Sequence, residues 1–212
     1  EVLRIYGFNT VKSPSKLSTM IPSSEGITSQ KTRNIISELL SNRGFNEVMN
    51  NSLIKSEYTA LIDDLNVNQN IEILNPLSKD LNVMRQSLVF GGLSNINYNQ
   101  NRKNSDLKLY EFGKTYHKKK QDYLEKEHLQ ILVSGRVHSE NWDVNPSNAD
   151  FFFMKEKVEH ILNRLGVTGI TTEQIGNFGF EYALMYKINN KRLVCFGKLD
   201  DKLCKSFDVK SD

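Results

Sequence analysis

The sequence predicts an α+β fold, an antiparallel sheet with helices packed on one side. Three observations predict it. Residues 127–137 alternate well, with Leu129, Ile131 and Val133 on one side and His128, Gln130, Leu132 and Ser134 on the other. Two segments carry apolar stripes at helical spacing, Ile35-Ile36-Leu39-Leu40 and Phe153-Val158-Ile161-Leu162-Leu165. Asn189-Asn190 separates two strand-like runs, the composition of a two-residue hairpin turn.

Taken in order, residues 2–6 read as a short helix with Val2, Leu3, Ile5 and Tyr6 on its apolar side, ended by Gly7. The Ser/Pro-rich stretch 13–24 reads as an extended linker. The next helix, residues 30–43, is capped by Thr28 or Ser29 and stopped by Gly44. Residues 45–54 read as a strand, 56–65 as a short helix, and 71–74 as a strand entering the turn Asn75-Pro76. A helix over 86–99 turns Leu88, Val89, Leu93 and Ile96 inward, and Gly91-Gly92 within it marks close packing. Residues 107–112 and 114–118 read as two strands joined or kinked at Gly113. After the strand 127–137, Asp150 caps a helix that ends at Gly166, strands follow at 182–188 and 192–199, and a polar tail closes the chain. The division expected is residues 1–25, the tail of a preceding small domain plus linker, and 26–212, one core domain truncated at its C-terminus.

Composition narrows the function classes. The 212 residues, 38% hydrophobic and 25% charged, suffice for one large soluble domain. No run approaches the roughly 18 apolar residues of a membrane span. The start, Glu1-Val2-Leu3-Arg4, has neither an initiator Met nor the order of a signal peptide, and reads as a cut within a longer polypeptide. Two cysteines, Cys195 and Cys204, make no disulfide framework, and a cytosolic compartment follows. A net charge of +3 falls short of a dedicated nucleic-acid binder. Arg102, Lys103, Lys114 and Lys118-Lys119-Lys120 still make one basic neighbourhood, which fits a solvated hairpin rim better than a phosphate-contacting surface. Catalytic machinery is sparse: no glycine-rich phosphate loop, no HExxH, no paired CxxC, and no histidine grouped with a nucleophile and an orienting acid.

The helix followed by Gly44-Phe45-Asn46-Glu47-Val48 resembles motif 1 of class II aminoacyl-tRNA synthetases, which builds a dimer interface. Met84-Arg85-Gln86-Ser87-Leu88 with Glu111-Phe112-Gly113-Lys114-Thr115-Tyr116 is similar to the phenylalanine–tRNA ligase β-subunit family. Glu1 to Phe8, Asn75-Pro76-Leu77-Ser78, Asp150 to Lys155 and Phe196-Gly197-Lys198-Leu199 extend the resemblance, in order, over nearly the whole chain. It implies a synthetase-like core paired with a catalytic α subunit in an (αβ)2 assembly, helping to position tRNA, with ATP bound by the α subunit.

The departures from the motif matter most. Where active class II enzymes read Phe-Arg-x-Glu in motif 2, this chain has Tyr116, His117, Lys118 and Lys119. His117 stands for the Arg that neutralises the ATP α-phosphate, and Lys119 for a carboxylate. A neutral imidazole lacks the permanent bidentate grip of a guanidinium, so the resemblance implies a domain without adenylation chemistry. It further implies interface positions at Arg33 and Ser37, taken as exposed on the motif-1-like helix, and at Glu47 and Met49 after it. RNA contacts are expected at Arg102, Lys103, Lys118, Lys119 and Lys120. Glu1 falls where the family's preceding domain carries its last Mg2+ carboxylate, but a single carboxylate holds Mg2+ weakly at best. The expected function is a non-catalytic scaffold; the alternatives are an RNA-binding module acting through the basic surface and a functioning ligase domain.

Overall fold

The computed structural model describes residues 1–12, 15–16, 28–76, 78–120, 122–138, 142–143 and 147–210. Most of the 13–24 linker lies outside them. In chain order the elements are α1 (Val2–Tyr6), α2 (Ser29–Ser41), β1 (Asn46–Glu47), β2 (Leu53–Ile54), β3 (Val83–Met84), α3 (Val89–Gln100), β4 (Leu107–Lys119), β5 (Asp122–Ser134), α4 (Phe151–Arg164), β6 (Thr171–Asn177), β7 (Phe180–Ile188), β8 (Lys191–Leu199) and α5 (Asp201–Lys205).

Local chemistry sets several boundaries. The Thr28 hydroxyl accepts from Lys31 N at 3.2 Å at the start of α2, and Asp150 accepts from Phe153 N at 2.7 Å at the start of α4. Gly44, at φ +79°, turns the chain out of α2. Asn189 and Asn190 both take left-handed φ, 48° and 62°, which is the expected tight turn between β7 and β8.

The centre of the molecule is the β4–β5 ribbon, paired antiparallel from Leu107↔Ser134 to Lys119↔Asp122. β1 runs parallel beside β4, and β6-β7-β8 form a second antiparallel sheet. One face of the ribbon, Tyr110 with Ile131 and Leu129, packs on Ile36 and Leu40 of α2 and Ile161 of α4. The other, Leu107, Leu109 and Leu132, packs on Phe90, Leu93 and Ile96 of α3. Val158 and Leu162, on the same apolar stripe of α4, cover Tyr186 and Phe196 of the second sheet. Helices therefore flank both faces, because residues of both parities along the ribbon are apolar where it crosses the core.

The chain's last described segment closes the α3 side. Phe207 lies 4.7 Å from Tyr58 and 6.0 Å from Phe90 between ring centroids. The Gln100 amide holds both the N–H and the carbonyl of Lys210, at 3.0 and 3.1 Å.

Several boundaries differ from the sequence expectations. Residues 107–119 form one strand through Gly113, since the ladder with β5 is unbroken there. The expected strand 45–54 is two short ones, β1 and β2, because Asn50 turns aside to bond Glu111. Residues 71–74 contribute one bridge, Glu72↔Val83, and the regular partner of β2 is β3. β5 begins at Asp122, five residues before the expected strand.

Candidate functional site

The strand β4 of the ribbon carries Glu111, His117, Lys118 and Lys119. Next to its apolar end lies a buried ion pair: Arg85 Nη1 meets Glu111 Oε1 at 2.7 Å, with the side chains 5% and 2% exposed. Arg85 Nε also donates to the Lys114 carbonyl at 3.0 Å. Glu111 Oε2 accepts from Asn50 Nδ2 at 2.8 Å, and Asn95 Nδ2 donates to Asn50 Oδ1 at 2.9 Å. Both charges are thus compensated where burial of an unpaired ion is costly. The network ties the segment after β1 to the sheet and to α3. Gly91 and Gly92 let α3 approach this closely: a Cβ on Gly92 would stand 2.0 Å from Leu132 Cδ1, and one on Gly91 would stand 2.8 Å from Asn50.

Along the same ribbon face, away from the core, come Gly113 opposite His128, Thr115 opposite Lys126, His117 opposite Leu124 and Lys119 opposite Asp122. His117 is half-buried, and burial first, then Lys126, holds its imidazole below the ordinary value of 6.5. Neutral at pH 7, it supplies no standing charge at that position. Lys119 is exposed at the end of β4.

Arg33 and Ser37 are half-buried, contrary to the expectation of exposure. The reason is α2's seat on the ribbon, which places the Arg33 guanidinium 3.5 Å from Glu127 and 5.4 Å from the centre of the Phe112 ring. Glu47 and Met49 do face solvent, and Met49 is 94% exposed. Apart from a 3.4 Å bond from the Tyr110 hydroxyl to Glu47, nothing within the described residues engages either side chain.

The basic residues do not form one patch. Lys118, Lys119 and Lys120 sit at the ribbon tip, whereas Arg102 and Lys103 follow α3 at its base. Eleven residue steps along the strand separate Leu107 from Lys118, roughly 35–40 Å. Arg102 folds back over Tyr98, 3.4 Å from the ring centre, and Lys103 lines a polar cavity of about 360 Å³ with Asp106 and Arg136. Glu1 is exposed beside Arg4 at 3.7 Å, and among the described residues no three His, Cys, Asp or Glu side chains are grouped to hold a metal. The residues present do not fit a Mg2+ site. Sequence reasoning missed Lys126 and His128, whose place beside His117 depends on cross-strand register, and the structural role of Arg85 with Glu111. No described helix is long and apolar enough to cross a membrane.

Residues 14–212 match the family model of the phenylalanyl-tRNA synthetase beta chain CLM domain. Phenylalanine–tRNA ligase beta subunits from Bacteroides thetaiotaomicron, Bacteroides fragilis and Fusobacterium nucleatum are 39%, 38% and 32% identical, each over 100% of this chain. The chain spans 27% of the length of each of these relatives. A solved pyrrolysyl tRNA synthetase from Desulfitobacterium hafniense superposes with a TM-score of 0.66 at 13% identity, covering 85% of this chain and 62% of that one. At that identity the likeness is one of fold.

Proposed function

This chain belongs to the phenylalanyl-tRNA synthetase beta chain family, and from that premise we propose that it is a non-catalytic, synthetase-like core domain. In this reading it supports a catalytic α subunit in the ATP-dependent attachment of phenylalanine to tRNA. ATP is bound by the α subunit, the assembly is (αβ)2 and cytoplasmic, and any Mg2+ needed is held outside this chain.

The observation that carries the reading is the electrostatics of the ribbon. A ligase of this fold needs a permanent cation and a carboxylate on the motif 2 strand to draw in the triphosphate and its leaving charge. Here the corresponding positions hold His117, with a depressed pKa, and Lys119, whose charge is reversed relative to a carboxylate. Of the carboxylates on that face among the described residues, Glu111 is already committed to Arg85 and Asn50, and Asp122 stands at the ribbon's end opposite Lys119.

For the docking role, the exposed pair Glu47 and Met49 is the best-placed feature. Both sit next to a segment that the Glu111–Asn50 bond fixes in place, so little ordering entropy is lost on docking. The ribbon tip, with Lys118 to Lys120, is the surface assigned to tRNA positioning.

The test is assembly of the full-length protein with its candidate α subunit, read by light scattering, for wild type and Met49→Asp. Wild type is expected to give a mixed complex and the variant to weaken it by about 2 kcal/mol or more, the scale of an interface hot spot. Undiminished assembly of the variant would remove Met49 from the interface, and absence of a wild-type complex would overturn the scaffold reading.

A further inference from the structure

The two faces of the β4–β5 ribbon divide their charge unequally. On the α2 side the acids are partnered: Lys114 Nζ meets Glu125 at 2.8 Å, while Glu127 takes Arg33 at 3.5 Å and the Ser29 hydroxyl at 3.2 Å. On the other side stand Lys119, His117, Lys126 and His128, with Asp122 the one acid beyond the buried Glu111. Neither Lys119 nor Lys126 has an ion-pair partner among the described residues.

This face has structure as well as charge. The Thr115 hydroxyl, 4% exposed, lies 3.0 Å from His128 Nε2 and fixes the ring's orientation. Gly113, opposite His128, has no side chain, and a Cβ there would stand 2.5 Å from Arg85 Nη2. The Arg85 guanidinium, neutralised by Glu111, therefore reaches into the row that His128 occupies. Lys126 lies between, with His128 two residues along its own strand and His117 diagonally across the ladder, close enough for side chains to meet.

We propose that this face is a conditional phosphate-binding site, in which Lys126 supplies a standing charge and His117 and His128 add theirs on protonation. Its ligand is a phosphoryl group carried by an RNA backbone or by a nucleotide. The site goes beyond the scaffold reading and uses none of the residues assigned to docking. Partial burial first, then Lys126, and for His128 also His117, hold both imidazoles below 6.5. A bound phosphate offsets that repulsion and raises both values, so binding takes up protons and strengthens as pH falls.

The experiment uses the full-length protein and a labelled single-stranded RNA oligonucleotide, followed by anisotropy at pH 7.5 and pH 6.0. A rise of one pKa unit in one imidazole on binding gives up to about tenfold in affinity once pH lies well below the free value, so a gain of several-fold is expected between pH 7.5 and pH 6.0. Lys126→Gln, at an exposed position, is expected to weaken binding at both pH values. His117→Gln with His128→Gln is expected to abolish the pH-dependent part, circular dichroism serving as the check on folding. Displacement of the oligonucleotide by ATP at pH 6.0 assigns the site to nucleotides; retention against both ATP and inorganic phosphate assigns it to RNA. Either supports the site. Binding at pH 6.0 that is absent, or that matches wild type in Lys126→Gln, overturns it, and neither result bears on assembly with the α subunit.

Discussion

Arg85 and Glu111 spend their charges on each other and on neighbouring amides, so removing one leaves the other buried and unpaired. Glu111→Gln is expected to lower stability by about 3–5 kcal/mol, seen as a lower urea midpoint. A paired exchange of both for apolar residues of similar volume is expected to cost much less, because no orphan charge remains. Gly92→Ala tests packing in place of charge. Its Cβ meets Leu132, so a loss of about 1–3 kcal/mol is expected, and Leu132→Ala in the same chain is expected to reduce that loss, as a double-mutant cycle would measure. His117 and His128 add a pH dependence. Their folded pKa values lie below 6.5, so the folded state binds fewer protons than the unfolded state; their contribution is complete above about 6.5 and is lost as pH falls through the folded values. Melting curves between pH 7.5 and 5 are expected to show a shallower acid limb in the double glutamine variant.

At the scale of the element, caps and registers decide what is fixed locally. Asp150 closes the start of α4, and Asp150→Ala is expected to cost about 1 kcal/mol of stability, since Phe153 N loses its acceptor. The helices α2 and α4 were legible because each has a side-chain cap, an apolar stripe and a glycine near the end; α5 was not, since its five residues read as part of a polar tail although Leu203 and Cys204 are buried. The tip of the ribbon was not. Residues 122–126 set Tyr123 and Leu124 side by side between charges and neither face is buried, so hydrophobic periodicity gives no signal where a strand is held by its ladder alone. The break between β1 and β2 was equally hidden, because it follows from a bond to Glu111, distant in sequence. Gly113 misled in the other direction: a glycine that suggests a kink is there to admit the Arg85 guanidinium.

For the whole molecule, the charge of the proposed motif 2 positions depends on residue types alone, since His117 and Lys119 differ in charge from an Arg and a Glu whatever the fold does. The extent of the basic surface was not readable. Nearness in sequence suggested one neighbourhood from Arg102 to Lys120, but the 13-residue strand β4 stands between its two halves. Two independent surfaces follow. Neutralising Arg102 with Lys103, and separately Lys118 to Lys120, is expected to change the salt dependence of RNA binding additively, as measured by titration across ionic strengths.

The contact of Phe207 with Tyr58 and Phe90 also sets an order of events during synthesis. The β4–β5 hairpin pairs neighbours in sequence and has everything it needs once residue 134 has left the ribosome. The α3 side does not: its aromatic cluster waits for a residue nearly 150 positions after Tyr58, and closing a loop that long is slow. A growing chain therefore carries an open apolar face on the α3 side until Phe207 emerges. That interval is when a chaperone would find this domain.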